Sequence, residues 1–208
     1  MWNAKYVEIR EDDLQNRIST QLITLNFDTM KILKIVLIAI LVLVAIPLVT
    51  ALFTKKDYAL ERSIIIQKPK QEVFDYMKFL KNQNYYSVWA KMDPNMKKEY
   101  KGTDGTVGFV SAWEGDDKNV GKGEQTITKI IEGDLLETDL HFIKPFEGKA
   151  LAFMTMEEAD TTSTKLTWSF SSSMPYPMNI MLVFMDMEKM LGKDYELGLA
   201  NLKGELEK

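Results

Sequence analysis

Residues 162–206 read TSTKLTWSFSSSMPYPMNIMLVFMDMEKMLGKDYELGLANLKGEL, and two periodicities in this stretch decide the fold. Over 162–171 the residues alternate, with Leu166, Trp168 and Phe170 on one side and Lys165, Thr167 and Ser169 on the other. A period of two with one apolar face predicts a half-buried strand. After Pro175-Tyr176-Pro177 the period changes. Ile180, Phe184, Met187, Leu191, Tyr195, Leu199, Leu202 and Leu206 recur at steps of three or four. This spacing predicts one long amphipathic helix of about 30 residues running to the C-terminus. A strand with an apolar face followed by a helix with an apolar stripe predicts that the helix lies across the sheet.

Working outward, the preceding residues supply that sheet. Tyr58–Gln67 is rich in β-branched residues, with Leu60, Arg62, Ile64 and Ile66 on one face, and Pro69 ends it. Lys70–Leu80 places Val73, Phe74 and Met77 at helical spacing, and a second short helix is expected over Tyr85–Met92. Short strands then follow at Lys97–Lys101, Val107–Glu114, Glu124–Ile131, Leu135–Ile143 and Ala150–Glu157, each bounded by turn residues. That spacing predicts a single antiparallel meander. Phe109 and Trp113 share a face, as do Leu136, Leu140 and Phe142, while Glu137, Asp139 and His141 take the opposite one. Ala150–Glu157 does not declare a face. The fold class is α+β, with an antiparallel sheet against a long C-terminal helix.

The N-terminal quarter is different. Ile35–Phe53 is a run of 19 residues without a charge, IVLIAILVLVAIPLVTALF. As a helix it spans roughly 28 Å, close to the hydrocarbon thickness of a bilayer. Lys31 and Lys34 flank one end, and Lys55 and Lys56 the other. The reading is a single-pass membrane anchor over 30–54. Val49-Thr50-Ala51 offers small residues for cleavage, so a signal sequence is the alternative, against which the length of the run argues. Several of the lysines that follow the run belong to the folded domain, so the charge bias leaves the side of the membrane open. Leu14, Ile18, Leu22 and Leu25 also recur at helical spacing, and residues 1–29 read as an extension ahead of a native start at Met30.

Charge and composition limit the chemistry. The 208 residues carry a net charge of −4, all of it in residues 55–208, which hold 21 basic and 25 acidic residues. An acidic domain is not a general nucleic-acid binder. The chain has no cysteine and a single histidine, which excludes Cys/His zinc sites, iron–sulfur clusters and thiol nucleophiles. His141 falls on the polar face of its strand with Glu137 and Asp139, where all three are solvated surface groups. Gly102, Gly105 and Gly108 join two strands rather than a strand and a helix, so they form a hairpin turn and not a phosphate cradle. Asp116-Asp117 lacks calcium-loop spacing. No cofactor is expected.

The string ERSIIIQKPKQEVFDYMKFLKNQNYYSVWAKMDPNM, residues 61–96, resembles the opening of the SRPBCC, or START-like, superfamily. It is similar above all to its membrane-anchored bacterial members of polyketide cyclase/dehydrase type. The shared features are a strand that ends in a Pro-containing turn, a Val-Phe pair (Val73, Phe74) in the next helix, and Trp89 at the end of the second short helix. Residues 174–203, MPYPMNIMLVFMDMEKMLGKDYELGLANLK, are similar to the closing helix of the same subgroup. The resemblance covers residues 31–208, and departs at Tyr86, where many relatives carry a second Trp. It implies a helix-grip fold with a hydrophobic tunnel, used elsewhere for lipids, sterols, hormones and polyketides.

The residues and the resemblance converge on a site of shape and apolar surface. Met174, Met178, Met181, Met185, Met187 and Met190 crowd the start of the last helix, either as ordinary gap-filling core packing or as a pliable wall that adapts to an apolar ligand. The ligand-lining set is Trp89, Phe109, Trp113, Leu140, Phe142, Trp168, Phe170, Met181, Phe184 and Met185, and no catalytic residue or metal ligand is assigned. The expected function is membrane-anchored, non-catalytic binding of a small hydrophobic molecule or lipid. The alternatives are a cyclase or dehydratase using Tyr85, Tyr86, Ser111 or Thr138, and a module that binds a protein partner. Nothing in the sequence sets the oligomeric state.

Overall fold

The computed structural model describes residues 3–208, with side chains from residue 10 onward except 11–12 and 22–28. The chain divides into two compact units, Met1–Leu52 and Phe53–Lys208. Helix α1 (Asn3–Phe53) is continuous, so the expected short helix and the apolar run form one element. Its Thr29–Phe53 stretch is a 25-residue helix long and apolar enough to cross a membrane. Leu14 and Ile18 are exposed on it, whereas the side chains of Leu22 and Leu25 lie outside the described residues.

The second unit is built on a seven-stranded antiparallel sheet. Its strands are β1 (Asp57–Ile66), β2 (Lys97–Lys101), β3 (Val110–Glu114), β4 (Lys122–Ile131), β5 (Leu135–Lys144), β6 (Gly148–Glu158) and β7 (Thr164–Ser173), in the order β1-β7-β6-β5-β4-β3-β2. Strands β2 to β7 form the expected meander, and β1 pairs along the free side of β7, Leu60 opposite Phe170 and Ile64 opposite Leu166. Register then fixes what each face carries. Leu60, Leu166, Trp168, Phe170, Met154, Met156 and Leu136 point to the inner face and are buried. Strand β6, silent in the sequence, turns Ala150, Ala152, Met154 and Met156 inward and Leu151 and Phe153 outward. Its face was unreadable because both sets are apolar.

The inner face is covered by four helices. Helix α5 (Met187–Leu206) runs along β1 and buries Tyr195, Leu199, Leu202 and Leu206. Helices α2 (Lys70–Met77), α3 (Gln83–Tyr86) and α4 (Val88–Met92) add Val73, Phe74, Met77 and Tyr86 to the same core. The long helix therefore does not cover the sheet alone. Close approach depends on Gly198, where a Cβ would sit 3.1 Å from the ring of Trp168.

The last helix is also shorter than its periodicity predicts. Residues Met178–Val183 form a 3₁₀ turn, and α5 begins only at Met187. Asp186 is the cause: its side chain accepts a hydrogen bond from the Lys189 N–H at 3.1 Å and caps the helix. Seven of the eight residues in MNIMLVFM are apolar, so Ile180 and Phe184 match the stripe without belonging to it. The second short helix is likewise divided, at Ser87, into α3 and α4.

Candidate functional site

The inner face has a closed half and an open half. In the closed half, β7 and the helices form an aromatic cluster. Trp168 lies 4.4 Å from Tyr195 between ring centroids, Trp89 meets both rings edge-on, and Tyr86 meets Trp168 at 76°. Edge contacts of this kind are favoured by the ring quadrupole. Burial pushes the phenols of Tyr86 and Tyr195 well above the ordinary range, with the nearby Tyr76 adding to the effect on Tyr86. Both stay protonated, so they can donate hydrogen bonds but cannot serve as bases.

At the centre of this half lies a void of only ≈ 10 Å³. Gln83, Gln125 and Thr138 contribute its polar atoms, and Trp168, Leu136 and Met154 its apolar wall. Gln125 Nε2 donates to Thr138 Oγ1 at 2.8 Å, and that hydroxyl faces the Ala152 carbonyl at 3.4 Å. Such a void holds about one water molecule. The wide tunnel implied by the resemblance is absent there among the described residues, because Trp168, Tyr86 and Tyr195 fill the space.

The open half lies toward the Asp57 end of the sheet. One row of paired residues crosses it through Tyr58, Ser172, Ala150, Leu140, Gln125 and Ser111. The next row runs Trp113, Gly123, Phe142. Gly123 is required here: a Cβ would lie 2.6 Å from the Trp113 ring and 2.7 Å from the His141 carbonyl oxygen. The benzo edge of the indole thus sits against Gly123, and the ring meets Phe142 edge-on at 6.2 Å and is pinned by its N–H donating to the Val120 carbonyl at 3.1 Å. Tyr58, Trp113, Leu140 and Phe142 are all half-buried. They form an apolar shelf that continues into the closed cluster through Phe170, 6.1 Å from Tyr58 and 6.3 Å from Tyr195.

The ten candidate lining residues therefore fall into four groups. Trp89, Trp168 and Phe170 meet around Tyr195, and Trp113, Leu140 and Phe142 make the shelf. Phe109 belongs to the same buried core as Trp168 and Phe170, but its ring stacks on Tyr100 at 6.0 Å. Met181 and Phe184 are exposed on the segment before α5, and Met185 is half-buried there. They are not brought to the inner face as a helical wall, because Asp186 restarts the helix after them. Tyr58 and Tyr195 join the site without having been selected as lining residues, although Tyr195 stood in the helical repeat. Of the polar candidates, Tyr86 and Thr138 are buried inside, Ser111 is half-buried on the inner face, and Tyr85 is exposed.

The opposite face carries a second feature that the sequence did not announce. A groove of ≈ 770 Å³ crosses β1, β7, β6, β5 and β4. Ala59, Ser171 and Ser173 lie in it beside Glu124, Asp139, His141 and Lys149. His141 is half-buried there, with Nδ1 3.7 Å from Glu124 and Nε2 3.5 Å from Glu147. Among the described residues no cluster of three or more acidic or imidazole groups could hold a metal.

No family model and no curated protein matches the chain. Solved structures do. A protein of unknown function from Staphylococcus aureus superposes with a TM-score of 0.55 at 8% identity, over 74% of this chain and 95% of that one. The protein XoxI from Bacillus cereus gives 0.51 at 12%, over 71% and 94%. The Aha1 dimer from Colwellia psychrerythraea gives 0.50 at 12%, over 72% and 96%. The chain has the helix-grip fold. At these identities the fold is what is shared, and the function must be argued from the site.

Proposed function

We propose that this chain is a membrane-anchored binding protein for a small apolar molecule or lipid, without catalysis, held between the inner face of the sheet and α5. The observation that carries the reading is the shelf of Tyr58, Trp113, Leu140 and Phe142. It is apolar, half-open, and continuous with the buried aromatic cluster. A ligand seats first on this shelf. Its further entry displaces Trp89, the half-buried ring that meets Trp168 and Tyr195 edge-on. Gln83, Gln125 and Thr138 offer one polar contact at the inner end, which suits a ligand with a single hydroxyl or carbonyl. The anchor is Thr29–Phe53, and the resemblance to membrane-anchored bacterial polyketide cyclase/dehydrase-type proteins points the same way.

Native mass spectrometry of the full chain released from lipid nanodiscs tests this. A bound apolar species of defined mass is expected. Repeated preparations without one, together with no gain in fluorescence from an added hydrophobic probe, would overturn the reading.

The outer groove favours a second reading, a module that binds a protein partner on the polar face. Its charged rim of Glu124, Asp139, His141 and Lys149 would then matter more than the shelf. Charge-reversal of Lys149 and Asp139 separates the two: it would abolish partner binding and leave uptake of the probe unchanged.

A further inference from the structure

The exposed apolar residues of the folded unit are unevenly placed. Register puts the start of β1, the exit of β7 and the β5–β6 turn at one end, since Asp57 pairs with Ser173, Ser172 with Ala150, and Phe142 with Gly148. At this end stand Phe184, 83% exposed, Phe146, 66%, and Val183, 54%, with Met178, Met181 and Tyr176 beside them. Large apolar side chains gathered in this way mark a surface meant to be covered.

The chain also enters the unit at this end. The Met174 N–H donates to the Lys56 carbonyl at 2.9 Å, and Asn179 Nδ2 donates to the Thr54 carbonyl at 2.9 Å. Asn179 is fully buried, so the segment that carries Met178, Met181, Val183 and Phe184 is fixed to the entry strand rather than loosely attached. The 25-residue apolar helix Thr29–Phe53 ends one residue before Thr54. If that helix spans a bilayer, the lipid surface lies within a few residues of this end. Lys55, Lys56 and Lys189 are exposed here among Asp57, Glu147, Asp186 and Glu188. With charges of both signs, the contact rests on the apolar side chains and not on a basic patch.

We infer that the end of the domain formed by Phe146 and residues 176–184 dips into the lipid headgroup region, so that the domain rests on the bilayer rather than hanging free from its anchor. Aromatic and aliphatic tips flanked by lysines are the usual equipment of interfacial insertion. The consequence is that the shelf, which lies at the same end of the sheet, opens beside the membrane. The inference rests on the membrane reading of Thr29–Phe53 and adds a second lipid contact to it.

The chain has no cysteine, so single labels report cleanly. Phe146→Cys, Phe184→Cys, Val107→Cys and Leu41→Cys are each made in the full chain, tagged with a nitroxide, and reconstituted in vesicles of phosphatidylcholine with a minority of phosphatidylglycerol. Val107 is 60% exposed in the β2–β3 connection at the opposite end of the sheet. Collision with oxygen, which partitions into lipid, is compared with collision with a water-soluble nickel chelate. The expected oxygen-to-nickel ratio at 146 and 184 is several-fold above that at 107, and approaches the ratio at 41. Ratios at 146 and 184 equal to that at 107, with 41 lipid-buried, would overturn the inference and leave the anchor standing. Labels at 146 and 184 shielded from both reagents would indicate a protein neighbour and also overturn it. A water-accessible label at 41 would remove the anchor reading itself, and the inference with it.

Discussion

Trp168 and Tyr195 stand with their ring centroids 4.4 Å apart, which makes them the tightest aromatic contact between the sheet and the last helix. Trp168 is opposite both Arg62 and Met154 in the sheet, and Gly198 gives its ring room against the helix. The pair locks the closed half of the inner face.

Trp168→Ala should therefore destabilise the folded unit by about 3–5 kcal/mol, the usual cost of removing a large buried aromatic side chain. Thermal or denaturant unfolding measures it. Tyr195→Phe keeps the ring and should cost far less. Equal losses from the two changes would show that the hydroxyl, and not the ring packing, holds the helix.

Two glycines should respond differently to alanine. A Cβ at Gly123 meets backbone and a pinned indole, so Gly123→Ala should cost about 1–3 kcal/mol by overpacking. The nearest atoms to a Cβ at Gly192 belong to the Arg62 guanidinium, the far end of a flexible side chain. Gly192→Ala moves that guanidinium off Glu196, 2.7 Å away, while alanine favours the helix. Stability should stay close to that of the parent. The comparison is read from the denaturation midpoints of the two variants.

The turn between β6 and β7 carries a pH signature. Asp160 accepts from the Ser163 hydroxyl, the Thr162 N–H and the Thr162 hydroxyl, which lower its pKa from 3.8 to about 2. A carboxylate with a depressed folded-state pKa stabilises the fold above the unfolded value, and loses that contribution as pH falls toward the folded one. Asp160→Ala should thus be less stable than the parent at neutral pH, with a gap that narrows between pH 4 and pH 2. A gap independent of pH in this window would contradict the assignment.

The shelf should matter for binding more than for folding. Trp113 is half-buried, so Trp113→Ala should destabilise less than Trp168→Ala. It should weaken a fluorescent fatty-acid probe about tenfold, or ~1.4 kcal/mol. Titration of the two variants with the probe measures this.

Most of the sheet was legible because its strands alternate cleanly. Leu166, Trp168 and Phe170 declared the inner face, and register carried that assignment to β1 and β5. Strand β6 was not legible, since Leu151 and Phe153 outside are as apolar as Ala150 and Ala152 inside. The start of α5 is not legible in the sequence, because Ile180 and Phe184 fit the helical stripe whereas the cap at Asp186 decides where the helix begins. The site was half legible. Aromatic residues could be chosen by face, but how Trp89, Tyr86 and Tyr195 close around Trp168 depends on side-chain packing that has no linear signature. The outer groove was invisible for a related reason, being assembled from outward residues of five strands.

The most direct test of the account is photocrosslinking of the full chain in vesicles with a diazirine-bearing fatty acid, followed by peptide mapping. Adducts are predicted on the shelf, at Tyr58, Trp113, Leu140 or Phe142, and competition with unlabelled lipid should remove them. Adducts confined to residues 29–53 and to the outer groove around Ser171 and Lys149, with none on the shelf, would contradict ligand binding between sheet and helix.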